Sequence, residues 1–197
     1  MSGIVLASAS PARRALLSNA GIAFAVEPAL IDERAVEAPH VASGSSPAAI
    51  AMVLAAAKAE EVSRRFPDAF VIGSDQTLDC DGHRGTKSRD LAEARAQLER
   101  LAGRSHCLHS AVAVARGGAT RWQHIDSATL TMRPLSGADI GAYLSRIGDN
   151  ALKSVGVYQL EGEGIRLFER IEGDYFAILG LPLLPLLTYL RSEGVIT

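Results

Sequence analysis

The chain has 197 residues, enough for one large domain or two small ones with a sizeable buried core. Hydrophobic residues make up 48% and charged residues 21%, and the net charge of −2 excludes the basic surface of a general nucleic-acid binder. The two cysteines, Cys80 and Cys107, form neither a CxxC pair nor a disulfide framework, which favours a reducing compartment.

No segment of the sequence predicts a targeting signal or a membrane span. The apolar run at 4–7 is short, and arginines follow it instead of preceding it. The most apolar stretch, at 179–190, contains Pro182 and Pro185 and is typical of a buried helix with a proline start. We therefore expect a cytoplasmic protein without a membrane partner.

Strand-length apolar runs alternate with helical patterns along the chain. The first part predicts a strand at 3–8, a helix at 11–20 that ends at Gly21, a strand at 22–28, and a loop through 38–46. Next come a long helix at 47–66, opened by Ser46, a strand at 69–75, and a hairpin turn at Asp81-Gly82.

The second part predicts further alternation of the same kind. A helix at 91–102 is capped by Asp90, and a hairpin follows, with a strand at 109–115, a turn at Gly117-Gly118 and a long second strand. A capping box of Ser136 and Asp139 opens a helix at 137–147, and two strands flank a turn at 172–174 before the C-terminal helix. Together the elements predict one α/β domain over 1–197, a mixed central sheet flanked by helices, with a division into two lobes as an alternative.

The first predicted helix carries an unusual pair of charges. Ser10 suits the N-cap and Pro11 the first helical position, yet Arg13 and Arg14 follow at the end where the helix dipole disfavours cations. Both arginines can simply face water. Alternatively, they hold an anion together with hydroxyls and free backbone N–H groups.

Several carboxylates and lysines are further candidates. Asp75 lies at the end of the predicted strand at 69–75, where α/β sheets bind ligands, and can act as general base or metal ligand. Alone, Asp75, Lys58 and Lys87 each fit a solvated surface position. Together with the arginines and with Asp32 and Glu33 they favour a polyphosphate bridged by Mg²⁺.

Other patterns in the sequence say little about function. His106 and His109 flank Cys107, but residues three apart on a strand face opposite sides and make a poor metal pair. The sequence contains no Walker A motif and no GxSxG elbow.

Five stretches in the same order resemble the Maf family of nucleoside triphosphate pyrophosphatases. The family's opening SxSPxR motif resembles LASASPARRALL, its acidic pair resembles IDER, and its lysine helix resembles LAAAKAEEV. Its strand-end aspartate resembles the one in IGSDQ, and its C-terminal signature resembles FERIEGDYFAILGLPLLPLL. The resemblance covers nearly the whole chain and implies a fold like that of the family and of inosine triphosphatases, with the site in the cleft between two lobes.

The resemblance implies hydrolysis of a nucleoside triphosphate to the monophosphate and pyrophosphate with a divalent cation, Mg²⁺ or Mn²⁺. This activity would serve housekeeping of the nucleotide pool, and a homodimer is compatible with it. Asp75 would be the general base and a metal ligand, and Glu33 a metal or water ligand. The phosphate-binding residues implied are Ser8, Ser10, Arg13, Arg14, Lys58 and Lys87.

Two residues resemble the branch of the family that acts on 7-methylguanosine triphosphate. Gln76 follows the aspartate, and Glu161 stands in VYQLEGEG where the pyrimidine branch has Gln. A carboxylate can accept from guanine N1–H and its amino group, although Glu161 can also simply face solvent. Two positions depart from the family pattern. Ala12 stands where Arg or Trp is usual, and Ser88 stands where Pro is usual.

Two other classes of function remain as alternatives. A non-catalytic nucleotide-binding regulator of cell division or septum formation is one, and retention of the acidic and basic site residues argues against it. A nucleic-acid binder is disfavoured by the acidic balance and would bind with a steep salt dependence.

Overall fold

A mixed seven-stranded sheet runs through residues 3–197, the part of the chain that the computed structural model describes. Its strands are β1 Ile4–Leu6, β2 Ala25–Val26, β3 Phe70–Cys80, β4 His83–Gly85, β5 Ser105–Arg116, β6 Ala119–Met132 and β7 Phe168–Glu172. The helices are α1 Pro11–Asn19, α2 Glu33–Ala42, α3 Pro47–Arg65, α4 Leu91–Leu101, α5 Gly137–Ile147, α6 Tyr175–Ile178 and α7 Leu183–Ser192. Two 3₁₀ segments lie between α5 and β7, at Gly148–Lys153 and Glu163–Leu167. The predicted α/β class with a mixed sheet is confirmed.

The strand order is β2-β1-β3-β5-β6-β7, and β4 pairs with β3 beside this path. β1 lies parallel to both neighbours, with Val5 opposite Ala25 on one side and Val71 on the other. β3 with β4, and β6 with β7, are antiparallel. The parallel part therefore holds the first strands of the chain, whose carboxyl ends lie at one edge.

The chain divides into two compact units, as the two-lobe alternative predicts. The first unit contains the chain up to Gln76, Ser110–Asp126 and Asp174–Thr197. The second contains Thr77–His109 and Ser127–Gly173. In the first unit, α1 and α7 pack on the sheet through a core of Ile4, Leu6, Leu16, Leu17, Phe70, Ile72, Val112, Val114, Leu181, Leu183, Leu186 and Leu190.

The predicted helix caps are formed. Ser10 accepts from Arg13 N, Ser46 from Ala49 N, and Asp90 from Glu93 N. Ser136 and Asp139 form the predicted reciprocal capping box of α5. Each cap satisfies a backbone donor that the first helical turn leaves free, which is why short polar side chains in the sequence locate these helix starts.

The predicted loop at 38–46 is wrong for its first half. α2 runs from Glu33 to Ala42, because Asp32 caps it by accepting from the amides of Arg34 and Ala35. Pro39 lies inside this helix. At the seventh position of a ten-residue helix the missing N–H of Pro39 affects a single turn, so the helix continues through it.

The predicted strand after the turn at 172–174 is also wrong. β7 ends at Glu172, and the next element is the short helix α6. Asp174 caps α6 by accepting from Ala177 N at 2.8 Å. The aspartate therefore begins a helix where a second strand was predicted.

A close approach between β3 and α3 depends on Gly73. A Cβ at this position would lie 2.2 Å from the backbone oxygen of Ala55 and 2.6 Å from Ala59 N. Small side chains on both faces maintain the approach, since Ala51, Ala55 and Ala59 pack against Ala111, Ala113 and Ala115. This contact fixes the distance at which side chains from α3 reach β3.

We expect Gly73→Ala to lower the free energy of unfolding by about 3 kcal/mol or more, because the clashing atoms are backbone and cannot rotate away. Gly3→Ala is the matched control, since a Cβ there meets nothing within 4 Å. Urea unfolding of both variants measures the difference. Equal stability of the two variants would contradict the steric role of Gly73.

Candidate active site

Asp75 lies within β3 and not at its end. The strand continues to Cys80, because its second half pairs with β4 through Leu78, Asp79 and Cys80. The prediction of a strand end at Asp75 is therefore wrong. What ends there is the neighbour: β1 stops at Leu6, opposite Ile72, and Asp75 lies three residues further along β3. Asp75 thus lies past the carboxyl end of β1, which opens space beside it.

The segment between β1 and α1 presents hydroxyl groups. Ser8 is buried, and its Oγ accepts from Ser10 N at 3.3 Å and from Arg13 Nη1 at 3.2 Å. Ser10 Oγ accepts from Arg13 N at 3.4 Å as the N-cap of α1. Because both oxygens act as acceptors here, each hydroxyl keeps its own proton to donate to a ligand oxygen.

Arg13 is held by three protein acceptors. Its Nε donates to Gly180 O at 2.8 Å, and Nη1 donates to Ser74 O at 2.9 Å as well as to Ser8 Oγ. These bonds use the Nε and Nη1 donors, and within residues 3–197 the Nη2 atom has no hydrogen bond to protein. Arg13 therefore has a fixed orientation and two N–H groups left for an anion.

Lys58 joins the two carboxylates. Its Nζ lies 2.6 Å from Asp75 Oδ1 and 2.8 Å from Glu33 Oε1. The Lys58 and Asp75 side chains are 11% and 12% exposed, whereas Glu33 is 54% exposed. Each partner comes from a different element, since Lys58 lies on α3, Asp75 on β3 and Glu33 at the start of α2.

Burial sets the acid–base character of this cluster. Burial raises the pKa of Asp75, the positive charges of Lys58 and Arg13 oppose this, and Glu33 adds to the rise. Burial lowers the pKa of Arg13, while Asp75 and Glu33 raise it. A carboxylate with a raised pKa that is still held by cations is suited to accept a proton near neutral pH.

Gln76 connects β3 with α6. Its Nε2 lies within hydrogen-bond distance of Ser110 Oγ, Ala177 O and Ile178 O, at 2.8, 3.2 and 3.0 Å. These acceptors use the donor capacity of the amide. A ligand contact by Gln76 is therefore left to its oxygen.

Two site residues were missed by the sequence analysis. Ser74 donates through Oγ to Ala111 O and Gly180 O, both at 2.8 Å, and its own carbonyl accepts from Arg13. Gly180 has φ +95, and a Cβ there would lie 3.3 Å from Arg13 Nε. Both positions stand in motifs that carried the resemblance, IGSDQ and the C-terminal signature, but only the fold brings them to Arg13.

The side chains of the remaining predicted residues form no hydrogen bond or ion pair with this cluster within residues 3–197, the described part of the chain. Arg14 is exposed on α1, and Asp32 serves as the cap of α2. Lys87 and Glu161 are exposed and belong to the second unit, whereas the cluster described above belongs to the first. Ser88, next to Lys87, is buried and donates to Gln97 Oε1 at 3.3 Å, so this departure from the family pattern fixes the lysine loop to α4.

The two carboxylates can hold a divalent cation if further oxygen donors come from water and phosphate. Glu33 and Asp75 converge on one cationic position, occupied by the Lys58 ammonium, and carboxylate oxygens are the donors that Mg²⁺ and Mn²⁺ prefer. Residues 3–197 contain no group of three or more His, Cys, Asp or Glu side chains able to hold a metal. Two carboxylates fit an ion that takes its other oxygens from water and phosphate.

None of the helices between residues 3 and 197 has the length and apolar character to cross a membrane.

The family model for Maf-like proteins matches residues 3–193 of the chain. A protein named 7-methyl-GTP pyrophosphatase from Rhizobium meliloti is 57% identical over 193 residues, covering 98% of this chain and 97% of the relative. One of the same name from Brucella abortus is 55% identical with the same coverage. A nucleoside triphosphate pyrophosphatase from Nitrobacter winogradskyi is 53% identical over 195 residues, covering 98% of this chain and 95% of the relative.

Proposed function

Because this chain belongs to the Maf-like protein family, we propose that it is a nucleoside triphosphate pyrophosphatase, which hydrolyses a nucleoside triphosphate to the monophosphate and pyrophosphate. The observation that carries the proposal is the buried Lys58–Asp75 pair beside the Ser8–Arg13 group. A base, a cation and anion-binding donors in one unit are what hydrolysis of a phosphoanhydride requires.

In this reaction Asp75 accepts a proton from water, whose oxygen forms a bond to the α-phosphorus. The bond from the α-phosphorus to the bridging oxygen breaks, and pyrophosphate leaves with the bonding electrons. Ser8 and Ser10 donate hydroxyl protons to phosphate oxygens, and the Nη2 group of Arg13 neutralises them. Arg14, Lys58 and Lys87 complete the proposed set of phosphate-binding cations.

A divalent cation, Mg²⁺ or Mn²⁺, belongs to the proposal, with Glu33 and Asp75 as its protein ligands. When bound, such an ion neutralises charge that develops on the leaving pyrophosphate. The support from the residues is the convergence of both carboxylates on one cationic position.

The test is a panel of nucleoside triphosphates supplied with Mg²⁺ or Mn²⁺, with separate assays for pyrophosphate and orthophosphate. We expect equal amounts of monophosphate and pyrophosphate, and no reaction after chelation of the metal. Orthophosphate and a nucleoside diphosphate as first products would contradict attack at the α-phosphorus. A protein that binds nucleotides without releasing pyrophosphate would be the regulator considered as the alternative.

The preferred base is proposed to be guanine, with modest selectivity for its 7-methyl form. Gln76 and Glu161 support this choice, since a carboxylate accepts from guanine N1–H and amino group, and a methylated guanine carries positive charge. The two relatives named 7-methyl-GTP pyrophosphatase agree with it. Ala12 cannot stack on the methylated ring as an aromatic residue would, which limits the selectivity.

Glu161→Gln is expected to reduce kcat/KM for GTP and its 7-methyl form about tenfold relative to UTP and dTTP, because an amide also donates and no longer matches two guanine donors. Glu169→Gln is the matched control, another exposed glutamate of the second unit. Steady-state kinetics on the four nucleotides measure the ranking. An unchanged ranking in Glu161→Gln, or a wild-type preference for UTP or dTTP, would contradict the assignment.

We also propose that the protein is cytoplasmic, that it does not bind nucleic acid and that it forms a homodimer. The net charge of −2 supports the absence of nucleic-acid binding. Sedimentation of the purified protein measures the assembly.

A further inference from the structure

The carbonyl oxygen of Gly180 accepts hydrogen bonds from both Arg13 and the core of the first unit. It lies 2.8 Å from Arg13 Nε and 2.8 Å from Ser74 Oγ, so each of its two lone pairs has a donor. Gly180 lies two residues after α6, and its φ of +95 is a backbone conformation that favours glycine. The orientation of Arg13 therefore depends on where this one oxygen is held.

The segment that ends at Gly180 is placed by its own turn and by the core, in addition to the cap of α6. Gly180 N donates to Ala177 O at 2.8 Å, and Leu181 N donates to Phe176 O at 3.1 Å. The side chains of Ile178 and Leu181 are buried. These contacts fix the path of the backbone, but they do not involve the oxygen of Gly180.

Ser74 supplies the hydroxyl that reaches this oxygen. Ser74 is fully buried in β3, and its Oγ lies 2.8 Å from Gly180 O and 2.8 Å from Ala111 O on β5. A serine hydroxyl has one proton, which these two carbonyl groups share. The backbone oxygen of Ser74 accepts from Arg13 Nη1 at 2.9 Å. Ser74 thus contributes to two of the three protein contacts of the guanidinium, one through its side chain and one through its backbone.

A second buried serine supports the same segment from β5. Ser110 Oγ donates to Ala177 O at 2.6 Å and lies 2.8 Å from Gln76 Nε2. Gln76 Nε2 also lies 3.2 Å from Ala177 O and 3.0 Å from Ile178 O. Residues two apart on a strand lie on the same face of the sheet, so Ser74 and Gln76 both meet this segment. Polar side chains of β3 and β5 therefore hold the carbonyl groups at the end of α6.

Arg13 gains a fixed orientation from these contacts before any ligand binds. The side chain is half-buried, and Nη1 also donates to Ser8 Oγ at 3.2 Å. A free arginine side chain loses rotamer entropy when it binds an anion, whereas an anchored one has already lost it. An oxygen that holds Nε in place thus strengthens anion binding by the remaining N–H groups.

We infer that Ser74 is a positioning residue for phosphate binding: its hydroxyl holds the Gly180 oxygen, and that oxygen holds the Arg13 guanidinium in the orientation that receives the triphosphate. The inference rests on the proposed function of the chain, in which Arg13 binds phosphate. The Ser74 side chain acts through Arg13 and does not bind the substrate. All three residues belong to the first unit.

Two variants of Ser74 and one matched control test the inference. Ser74→Ala removes the hydroxyl, and Ser74→Cys keeps a side chain of similar shape with a weaker donor. The control is Ser63→Ala, because Ser63 is also a fully buried serine of the first unit. Its Oγ donates to Glu60 O at 3.0 Å and accepts from Gly118 N at 2.9 Å, so its loss removes buried hydrogen bonds without involving Gly180.

The measurements are initial rates with the nucleoside triphosphate that the wild-type protein hydrolyses best, and the inhibition constant of inorganic triphosphate. This probe carries three linked phosphates and no base. We expect Ser74→Ala to raise both KM and the inhibition constant about tenfold, while kcat changes less than about threefold. Ser74→Cys should lie between Ser74→Ala and the wild type. Ser63→Ala should stay within about twofold of the wild type in all three quantities.

A double-mutant cycle shows whether Ser74 acts through Arg13. Arg13→Lys keeps the positive charge but removes the Nε donor that bonds to Gly180 O. In this background Ser74→Ala should change the inhibition constant less than about twofold, because the contact that it disturbs is already lost. Effects of the two substitutions that multiply in full would overturn the inference.

The acid limb of the pH–rate profile separates this role from an effect on Asp75, the next residue of β3. We expect the limb to stay in place in Ser74→Ala, because Lys58 still contacts Asp75. A shifted limb with an unchanged inhibition constant would overturn the inference.

The remaining outcomes distinguish the inference from the function on which it rests. Wild-type protein that hydrolyses no triphosphate overturns both. An active wild type with the same inhibition constant in folded Ser74→Ala overturns the inference alone, as does an equal rise in Ser63→Ala. If Ser74→Ala does not fold by circular dichroism, Ser74→Cys decides the result.

Discussion

Asp75→Asn is expected to reduce kcat about a hundredfold or more while leaving the fold intact. The amide has the shape of the carboxylate and can still accept from Lys58, whose Nζ lies 2.6 Å from Oδ1. It cannot take a proton from water at neutral pH. The loss therefore isolates the basicity of Asp75 from its place in the hydrogen-bond network, and steady-state pyrophosphate release measures it.

Asp79→Asn is the control for this variant. Asp79 lies four residues further along the same strand and accepts from Gly82 N at 2.9 Å, a role that an asparagine oxygen can also fill. We expect its turnover to remain within about twofold of the wild type. Turnover close to normal in a folded Asp75→Asn protein would rule out Asp75 as the base.

Lys58→Met is expected to reduce activity at pH 7 about a hundredfold and to move the acid limb of the pH–rate profile upward. Burial already raises the pKa of Asp75, and Lys58 is the largest opposing influence. Without the ammonium the pKa rises further. The base form exists above the pKa, so part of the lost activity should return as the pH increases.

Lys153→Met is the matched control, because Lys153 is exposed and donates to Asn150 Oδ1 at 2.7 Å. Its profile should coincide with that of the wild type. A Lys58→Met profile that is lowered equally at every pH, with its acid limb unmoved, would show that Lys58 binds phosphate without tuning Asp75.

Local features were predictable because their causes are local. The caps of α1, α3, α4 and α5 follow from Ser10, Ser46, Asp90 and the Ser136–Asp139 pair, each of which bonds within its own first turn. The errors arose where a capping residue was overlooked. Asp32 caps α2, which runs into the segment predicted as a loop, and Asp174 caps α6 where a second strand was predicted.

Features that depend on residues far apart in the chain were harder to predict from the sequence. The second half of β3 pairs with β4 across the predicted turn at Asp81-Gly82, and the apolar run at 69–75 by itself does not show that the strand continues to this turn. The bond from Arg13 to Gly180 O joins residues 167 apart in the chain, and that from Ser74 to the same oxygen joins residues 106 apart. Resemblance to a family suggested Ser8, Arg13, Lys58 and Asp75 as candidates, but the contacts among them became visible only in the fold.

The packing of α2, the helix that carries Glu33, bears on how easily this part of the site moves. α2 has no buried side chain, whereas Asp75 and Lys58 lie on elements packed into the core. A helix with so little buried surface opens locally at a small fraction of the free energy needed to unfold the protein, and its amide hydrogens should exchange with deuterium far faster than those of α3. We therefore expect Glu33 to move more readily than Asp75 and Lys58, and hydrogen–deuterium exchange of the α2 and α3 amides measures the difference.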